Sequence, residues 1–276
     1  MVVCAHGYSG NARDFDYLAR RLAAEARVIC IDFPGRGDSE WPASSLEYNF
    51  PQFVADARTL LARLRVREAD WVGTSMGGLL GMMLAAQASS PVRRLVMNDV
   101  GAFLPMDALQ AISRNLEAPE TFASIEEVEA YLRKSRSEWG PIADEEWRAS
   151  AIAQSRPVKP GSATLRLHFD PRIAAVARPM PLTPGLFFWD SWYRVRCPVL
   201  LLRGELSRVL PENVARTMLD IRPQARLETL PGCGHVPSLM TDEHVALVRN
   251  FLHDPGIQAG ERDNDQDQPS LPARAA

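Results

Sequence analysis

The sequence predicts an α/β fold: a mostly parallel sheet with helices on both faces and a helical cap inserted late in the strand order. Short β-branched runs alternate with longer segments whose apolar residues recur every three to four positions. The alternation is interrupted once, by a long segment with helical periodicity of its own. The 276 residues are 46% hydrophobic, enough for one large core, so we expect one main domain with an insertion.

The predicted strands and core helices follow one another along the chain. Strands are predicted at residues 2–5, 28–31, 71–74, 95–98, 199–202 and 227–230. Helices that cover the sheet are predicted at residues 14–24, 53–64, 77–88, 212–219 and 241–252. This order is typical of parallel strands joined by helical crossovers.

The interruption spans residues 103–193, far longer than the roughly two to six residues that usually connect a strand to a helix. We therefore predict a helical cap there, with helices at 106–115, 125–136 and 144–154 and an irregular proline-rich passage at 178–185. Residues 1–102 and 194–253 would form the core. Residues 254–276 contain no aromatic side chain, and we predict a disordered tail.

The composition argues against several classes of binding partner. The formal net charge is -3 and acidic and basic residues are mixed, so the sequence has no basic stripe for nucleic acid. The longest nearly apolar stretch, at 77–88, is shorter than the roughly 18 residues of a membrane span, and the first residues do not resemble a secretory signal. The cysteines have neither disulfide-framework density nor metal-ligand spacing. We expect a cytoplasmic protein with reduced thiols, no metal or cofactor, and a small-molecule substrate.

A candidate nucleophile follows the third predicted strand. Residues 73–77, Gly-Thr-Ser-Met-Gly, match G-x-S-x-G at a strand-to-helix junction, where a sharp turn exposes the central serine. Glycines on either side of Ser75 leave room for that strained turn. The alternative is a phosphate-binding turn, but neither G-x-G-x-x-G nor a Walker lysine accompanies it. The pattern predicts that Ser75 is a nucleophile.

Two histidine motifs complete an ordered set of features. Residues 6–8, His-Gly-Tyr, follow the first predicted strand, and His235 lies in a glycine-containing loop between the last strand and the last helix. With the serine motif and the turn at 32–39, these features resemble the α/β-hydrolase family, in its serine esterase and lipase-like branch with a helical cap. The resemblance covers the chain to about Leu252.

The resemblance implies a role for individual residues. His235 would activate Ser75, the backbone N–H groups of Tyr8 and Met76 would form an oxyanion hole, and His6 would order its loop. The expected reaction is cleavage of a small to medium apolar or aromatic carboxylic ester through an acyl-enzyme. The alternatives are a non-catalytic ligand receptor or pseudoenzyme, a carbon–carbon bond hydrolase or lactonase, and a cofactor-free oxygenase on the same fold.

The acid that orients the histidine departs from the commonest family pattern. The loop after the family's seventh strand carries Arg208 where relatives would carry aspartate, and a guanidinium cannot accept a hydrogen bond. Asp99 follows the sixth family strand, where haloalkane dehalogenases carry their acid, and we predict that it is the acid. Glu205 is the alternative acid, and a site without a proper acid is the third alternative. In either case Asp99 would cap a loop by accepting backbone N–H groups.

Two further features of the sequence predict where the chain would contact a second copy of itself and where it would contact its substrate. The chain begins on what would be the family's third strand, so the first two family strands are absent and the strand at 28–31 is an open edge. An open edge offers unpaired backbone groups, so we predict that a homo-oligomer can form through it.

Aromatic residues of the insertion predict either a satellite core or a substrate-facing wall. The wall would consist of Trp139, Trp147, Phe187, Trp189 and Trp192.

Overall fold

The structure, a computed structural model, describes residues 1–116, 118–176 and 184–256. Its centre is a six-stranded sheet made of β1 (Val2–Ala5), β2 (Val28–Ile31), β3 (Ala69–Thr74), β4 (Val92–Asn98), β5 (Val199–Gly204) and β6 (Arg226–Leu230). The order across the sheet is β6-β5-β4-β3-β1-β2, and every neighbouring pair is parallel. The predicted fold class is confirmed, with small shifts at the strand ends.

The sheet is buried on both faces, as expected for parallel strands covered by helices. Trp71 and Leu95 are register partners on β3 and β4 and enter one core cluster. Val72 and Val96, the next pair, enter a second cluster on the opposite face. The nearly continuous apolar character of these strands is therefore explained by burial on both sides.

The helices that cover the sheet lie near the predicted positions, and the insertion contributes further helices. The described helices are α1 (Asp16–Leu22), α2 (Phe50–Arg63), α3 (Met76–Ala85), α4 (Met106–Asn115), α5 (Ile125–Ser135), α6 (Asp144–Ala153), α7 (Arg172–Val176), α8 (Trp189–Arg194), α9 (Glu212–Ile221) and α10 (Asp242–His253). Helix α2 begins before the predicted start at residue 53, because the Asn49 side chain caps it by accepting a hydrogen bond from the Gln52 N–H (2.9 Å). Pro51 fits its first turn.

The insertion between β4 and β5 contains α4 to α8, and α4, α5 and α6 match the three predicted helices closely. It also contains two short antiparallel pairs, Phe103–Pro105 with Gly185–Phe187 and Ser155–Pro157 with Leu165–Leu167. Strands this short carry too little periodicity to be predicted from sequence. In the proline-rich passage at 178–185, Gly185 begins a strand rather than irregular backbone, and residues 178–183 lie outside the described residues.

The ends of the sheet and of the chain bear on two further predictions. Among the described strands, β2 pairs with β1 alone and forms one edge of the sheet. Its use in a homo-oligomer stays a prediction. Of the predicted tail, residues 257–276 lie outside the described residues. In the described parts of the chain, no helix combines the length and apolar character that crossing a membrane requires.

Candidate active site

Ser75 lies in a sharp turn between β3 and α3. Its backbone has a φ of 49°, a left-handed conformation that is strained for a residue with a side chain. A Cβ atom at Gly73 would collide with the backbone of Gly77, and one at Gly77 would collide with the backbone of Ala5. Only glycine fits these positions, so α3 can pack against the sheet and the Ser75 hydroxyl stands at the tip of the strand.

Three side chains meet at this tip. Ser75 Oγ lies 3.1 Å from His235 Nε2, and His235 Nδ1 lies 2.7 Å from Asp99 Oδ2. Because an ionised carboxylate only accepts hydrogen bonds, Nδ1 carries the proton and donates to Asp99, which leaves Nε2 free to accept from Ser75. The Asp99 side chain is fully buried, whereas that of His235 is 18% exposed. Such an arrangement can move the serine proton to the imidazole while the carboxylate stabilises the resulting cation.

Asp99 is held by the last residue of β5 and by the loop that follows this strand. Its Oδ1 accepts the Gly204 N–H (2.8 Å), and its Oδ2 accepts the hydroxyl of Ser207 (2.6 Å) in addition to the imidazole. The Ser207 oxygen in turn accepts the N–H groups of Val209 and Leu210, both at 3.1 Å. These contacts fix the carboxylate, and therefore the orientation of the imidazole.

The alternative acid does not reach the imidazole. Glu205 is exposed, and its Oε2 accepts the N–H of Gly232 (2.9 Å). Arg208 is exposed as well. Of the two carboxylates that the sequence left open, the structure places Asp99 beside His235.

The loop that carries His235, residues 231–241 and below called the imidazole loop, is hydrogen-bonded to the insertion. The Gly234 N–H donates to the carbonyl of Glu138 (2.6 Å), and the Ser238 N–H donates to that of Trp139 (3.0 Å). Both acceptors belong to the turn that follows α5. The insertion therefore contacts the imidazole loop through backbone groups on each side of the histidine.

The two expected oxyanion donors adjoin Ser75. Met76 is the first residue of α3, and a helix leaves its first N–H groups without an acceptor of its own. Gly7 lies against Ser75, since an added Cβ would come within 3.8 Å of the serine Cβ. Tyr8, the next residue, lines the same cavity as Ser75. Both positions are compatible with backbone donors aimed at an oxygen bound beside the serine.

The loop after β1 is fixed from two sides. His6 accepts the Phe33 N–H at Nε2 (3.1 Å) and donates from Nδ1 to the Gly7 carbonyl (2.6 Å). Burial lowers the pKa of His6 to about 3, so its ring is uncharged near neutral pH. The buried Arg36 donates from Nε to the Tyr8 carbonyl (2.9 Å). His6 orders the loop, as the sequence predicted.

A cavity of about 130 Å³ adjoins Ser75 and His235. Helix α5 and the turn after it contribute Tyr131, Arg136 and Trp139 to its wall. Trp139 is thus the member of the predicted aromatic wall that lies at this cavity. In the described parts of the chain, no group of three His, Cys, Asp or Glu residues is arranged to hold a metal ion.

The other four aromatic residues of the predicted wall lie elsewhere, and the prediction is corrected for them. Trp147 packs in a small core of the insertion, which is the satellite-core alternative. Phe187 is 59% exposed, and Trp189 packs against the main core. Trp192 is fully buried, and its indole N–H donates to the Met218 carbonyl (3.1 Å). The three tryptophans serve packing, which the local sequence pattern does not distinguish from contact with a ligand.

Sequence reasoning missed two polar residues of the site. Ser207 carried no motif, although it lies in the loop where the family usually places its acid. Arg136 was assigned only to the end of a predicted helix, because its approach to the cavity depends on how the insertion folds back. Long-range packing of this kind leaves no signal in the local sequence.

Comparison with known proteins gives consistent results. A profile of the alpha/beta hydrolase family matches residues 2–249. The chain is 38% identical over 258 residues to a 3-hydroxybutyrate-oligomer hydrolase of Cupriavidus necator, covering 91% of this chain and 88% of that protein. It is 28% identical over 252 residues to a 2-(acetamidomethylene)succinate hydrolase of Mesorhizobium japonicum, covering 90% and 86%. A crystal structure of a putative hydrolase from Rickettsia typhi superimposes with a TM-score of 0.84 at 28% identity, covering 91% and 85%.

Proposed function

Since this chain belongs to the alpha/beta hydrolase family, we propose that it hydrolyses short carboxylic esters through an acyl-enzyme formed on Ser75. The observation that carries the proposal is the continuous set of hydrogen bonds from Ser75 through His235 to Asp99. The relatives named above are hydrolases, which supports hydrolysis in general. The choice of an ester rests on the chemistry of an activated serine beside candidate oxyanion donors.

The proposed reaction proceeds in two halves. His235 takes the proton of Ser75 as the serine oxygen bonds to the ester carbonyl carbon, and the N–H groups of Tyr8 and Met76 stabilise the oxyanion. When the carbon–oxygen bond to the alcohol breaks, His235 gives its proton to the departing alcohol. Water then attacks the acyl-enzyme, again losing a proton to His235, and the acid is released as Ser75 recovers its proton. Asp99 stabilises the imidazolium in both halves.

The size of the cavity favours a short acyl group. The cavity of about 130 Å³ beside Ser75 is partly open, is lined by polar and apolar groups, and has room for a small acyl group. A 3-hydroxybutyryl group is one such group. Together with the similarity to the hydrolase from Cupriavidus necator, this makes short esters of hydroxyacids the substrates that we propose to test.

The test is a set of esters assayed with the wild-type protein and two serine variants. We expect wild type to hydrolyse p-nitrophenyl butyrate and the dimer of 3-hydroxybutyrate, and Ser75→Ala to lose at least about 10⁴-fold in kcat for both. Ser137→Ala is the matched control, because Ser137 is exposed and lies outside the cavity. Equal activity of Ser75→Ala and wild type would reject the nucleophile. Hydrolysis of neither ester by wild type would reject ester cleavage.

A further inference from the structure

Arg136 is a charged group of the cavity that the chemistry proposed above does not use. It lines the same cavity as Ser75 and His235. Its side chain is only 10% exposed, which is unusual for arginine, a residue that is seldom buried without a partner. A guanidinium keeps its charge throughout the ordinary pH range, so the cavity contains a fixed cation.

The position of Arg136 is tied to the imidazole loop by backbone hydrogen bonds. Arg136 is the C-cap residue that follows α5, and its carbonyl accepts the Trp139 N–H (3.0 Å). The Trp139 carbonyl accepts the Ser238 N–H (3.0 Å), three residues after His235. The guanidinium also lies over the Trp139 ring, 4.3 Å from its centre. The cation is therefore held by a turn that is hydrogen-bonded to the loop carrying the histidine.

The ion pair with Asp14 leaves most of the N–H donors of Arg136 unused. Arg136 Nη1 lies 3.4 Å from Asp14 Oδ1, longer than a good N–H···O bond. The same Oδ1 accepts a much shorter bond from Gln154 (2.6 Å), and Asp14 Oδ2 accepts the Asn11 N–H (3.3 Å). A guanidinium has five N–H donors, and a carboxylate can accept two of them side by side. The fork of Arg136 can therefore bind a second carboxylate without releasing Asp14.

The electrostatics of the cavity support such a ligand. Among the residues that line it, Arg136 is the fixed cation and Asp14 the carboxylate. Burial raises the pKa of Asp14, and the nearby Arg136 acts in the opposite direction. The charge of Arg136 is compensated only by one long ion pair and by the face of the Trp139 ring, and a substrate anion would supply further contacts.

We propose that Arg136 binds a free carboxylate of the substrate, so that the preferred substrates are short esters that also carry a carboxylate, such as the acid end of a hydroxyacid oligoester. This proposal rests on the ester hydrolysis proposed for Ser75 and specifies the substrate class of that site. A structural role for Arg136, in capping the C-terminus of α5 and pairing with Asp14, would not by itself distinguish charged from neutral substrates.

The test compares two substrates that differ only in charge. The dimer of 3-hydroxybutyrate and its terminal carboxamide have nearly the same shape, and both release products that chromatography can quantify. For the wild-type protein we expect kcat/KM for the acid to exceed that for the amide about tenfold to a hundredfold, the range that hydrogen bonds to a charged group support. In Arg136→Met this ratio should fall close to one. Arg136→Lys should retain part of it, because the charge remains but the planar fork is lost.

Lys134→Gln is the matched control, because it removes a positive charge from an exposed position on the same helix that does not line the cavity. Its ratio should equal that of wild type. A second measurement needs no variant and decides the matter if Arg136→Met does not fold: 3-hydroxybutyrate should inhibit wild-type hydrolysis of p-nitrophenyl butyrate at least tenfold more strongly than 3-hydroxybutyramide.

The outcomes separate this proposal from the one it rests on. Equal kcat/KM for acid and amide in wild type, equal inhibition by the two products, or an unchanged ratio in Arg136→Met would each overturn the role of Arg136 while ester hydrolysis stands. If wild type cleaves neither dimer nor p-nitrophenyl butyrate, the ester function itself fails. A ratio that falls in Arg136→Met and is unchanged in Lys134→Gln supports the carboxylate site.

Discussion

The loops that follow β4 and β5 divide between them the task of holding the imidazole. The loop after β4 supplies the carboxylate itself, since Asp99 accepts the His235 Nδ1–H. The loop after β5 supplies no carboxylate to the imidazole, but its Ser207 and the last strand residue, Gly204, each donate to one oxygen of Asp99. The acid can thus lie in the loop after β4, provided that the loop after β5, below called the second loop, orients it.

The comparison also explains why an arginine is tolerated in the second loop. Arg208 occupies the position that suggested a missing acid, and its side chain is exposed. Glu205 is exposed too and is paired with the Gly232 N–H. With Asp99 already beside the imidazole, neither residue is needed for its orientation.

The largest effect should follow from removing the negative charge of Asp99 in the loop after β4, the first of the two loops. Asp99→Asn keeps the shape of the side chain but allows the imidazole to adopt the wrong tautomer, so we expect kcat for p-nitrophenyl butyrate to fall by about 10⁴-fold. Glu205→Gln is the matched control and should stay within about twofold of wild type. If Glu205→Gln were the damaging change and Asp99→Asn were harmless, the roles of the two loops would be reversed.

A smaller effect should follow from weakening the support that the second loop gives. Ser207→Ala removes the hydroxyl that donates to Asp99 and leaves the N–H groups of Val209 and Leu210 without that acceptor. We expect a loss of about 1–3 kcal/mol in the free energy of unfolding and a fall of roughly tenfold in kcat. Chemical denaturation and steady-state kinetics measure the two quantities.

Arg208→Gln in the same loop is the control for Ser207→Ala. Its side chain is exposed, so stability and kcat should both stay near the wild-type values. If Ser207→Ala behaved like Arg208→Gln, the second loop would be a passive neighbour of Asp99 rather than its support.

The fold was predictable because its signals are local. Runs of β-branched residues and helical periodicity located the six strands of the sheet, and the sharp turn at Ser75 required glycines that the sequence displays at positions 73 and 77. Asp99 could be proposed because it follows the strand after which some members of the similar family carry their acid. The structure agrees with the geometry of parallel strands, whose carboxyl ends lie at one edge of the sheet.

The rest depends on contacts between distant segments. The sequence leaves Trp192 open between a satellite core and a substrate-facing wall, but it lies in the main core, with its indole N–H donating to the Met218 carbonyl. Arg136 had no motif, because its place in the cavity is set by the folding of the insertion onto the imidazole loop. Local pattern identifies an aromatic or charged residue, but it does not identify the surface against which that residue packs.

Covalent labelling tests most directly whether Ser75 is a nucleophile activated by His235. The protein would be treated with a fluorophosphonate and digested, and the modified peptide would be located by mass spectrometry. We expect a single adduct on Ser75 that forms rapidly in wild type and is nearly absent in His235→Ala. An adduct on another residue, or equal labelling of Ser75 in His235→Ala, would contradict the account.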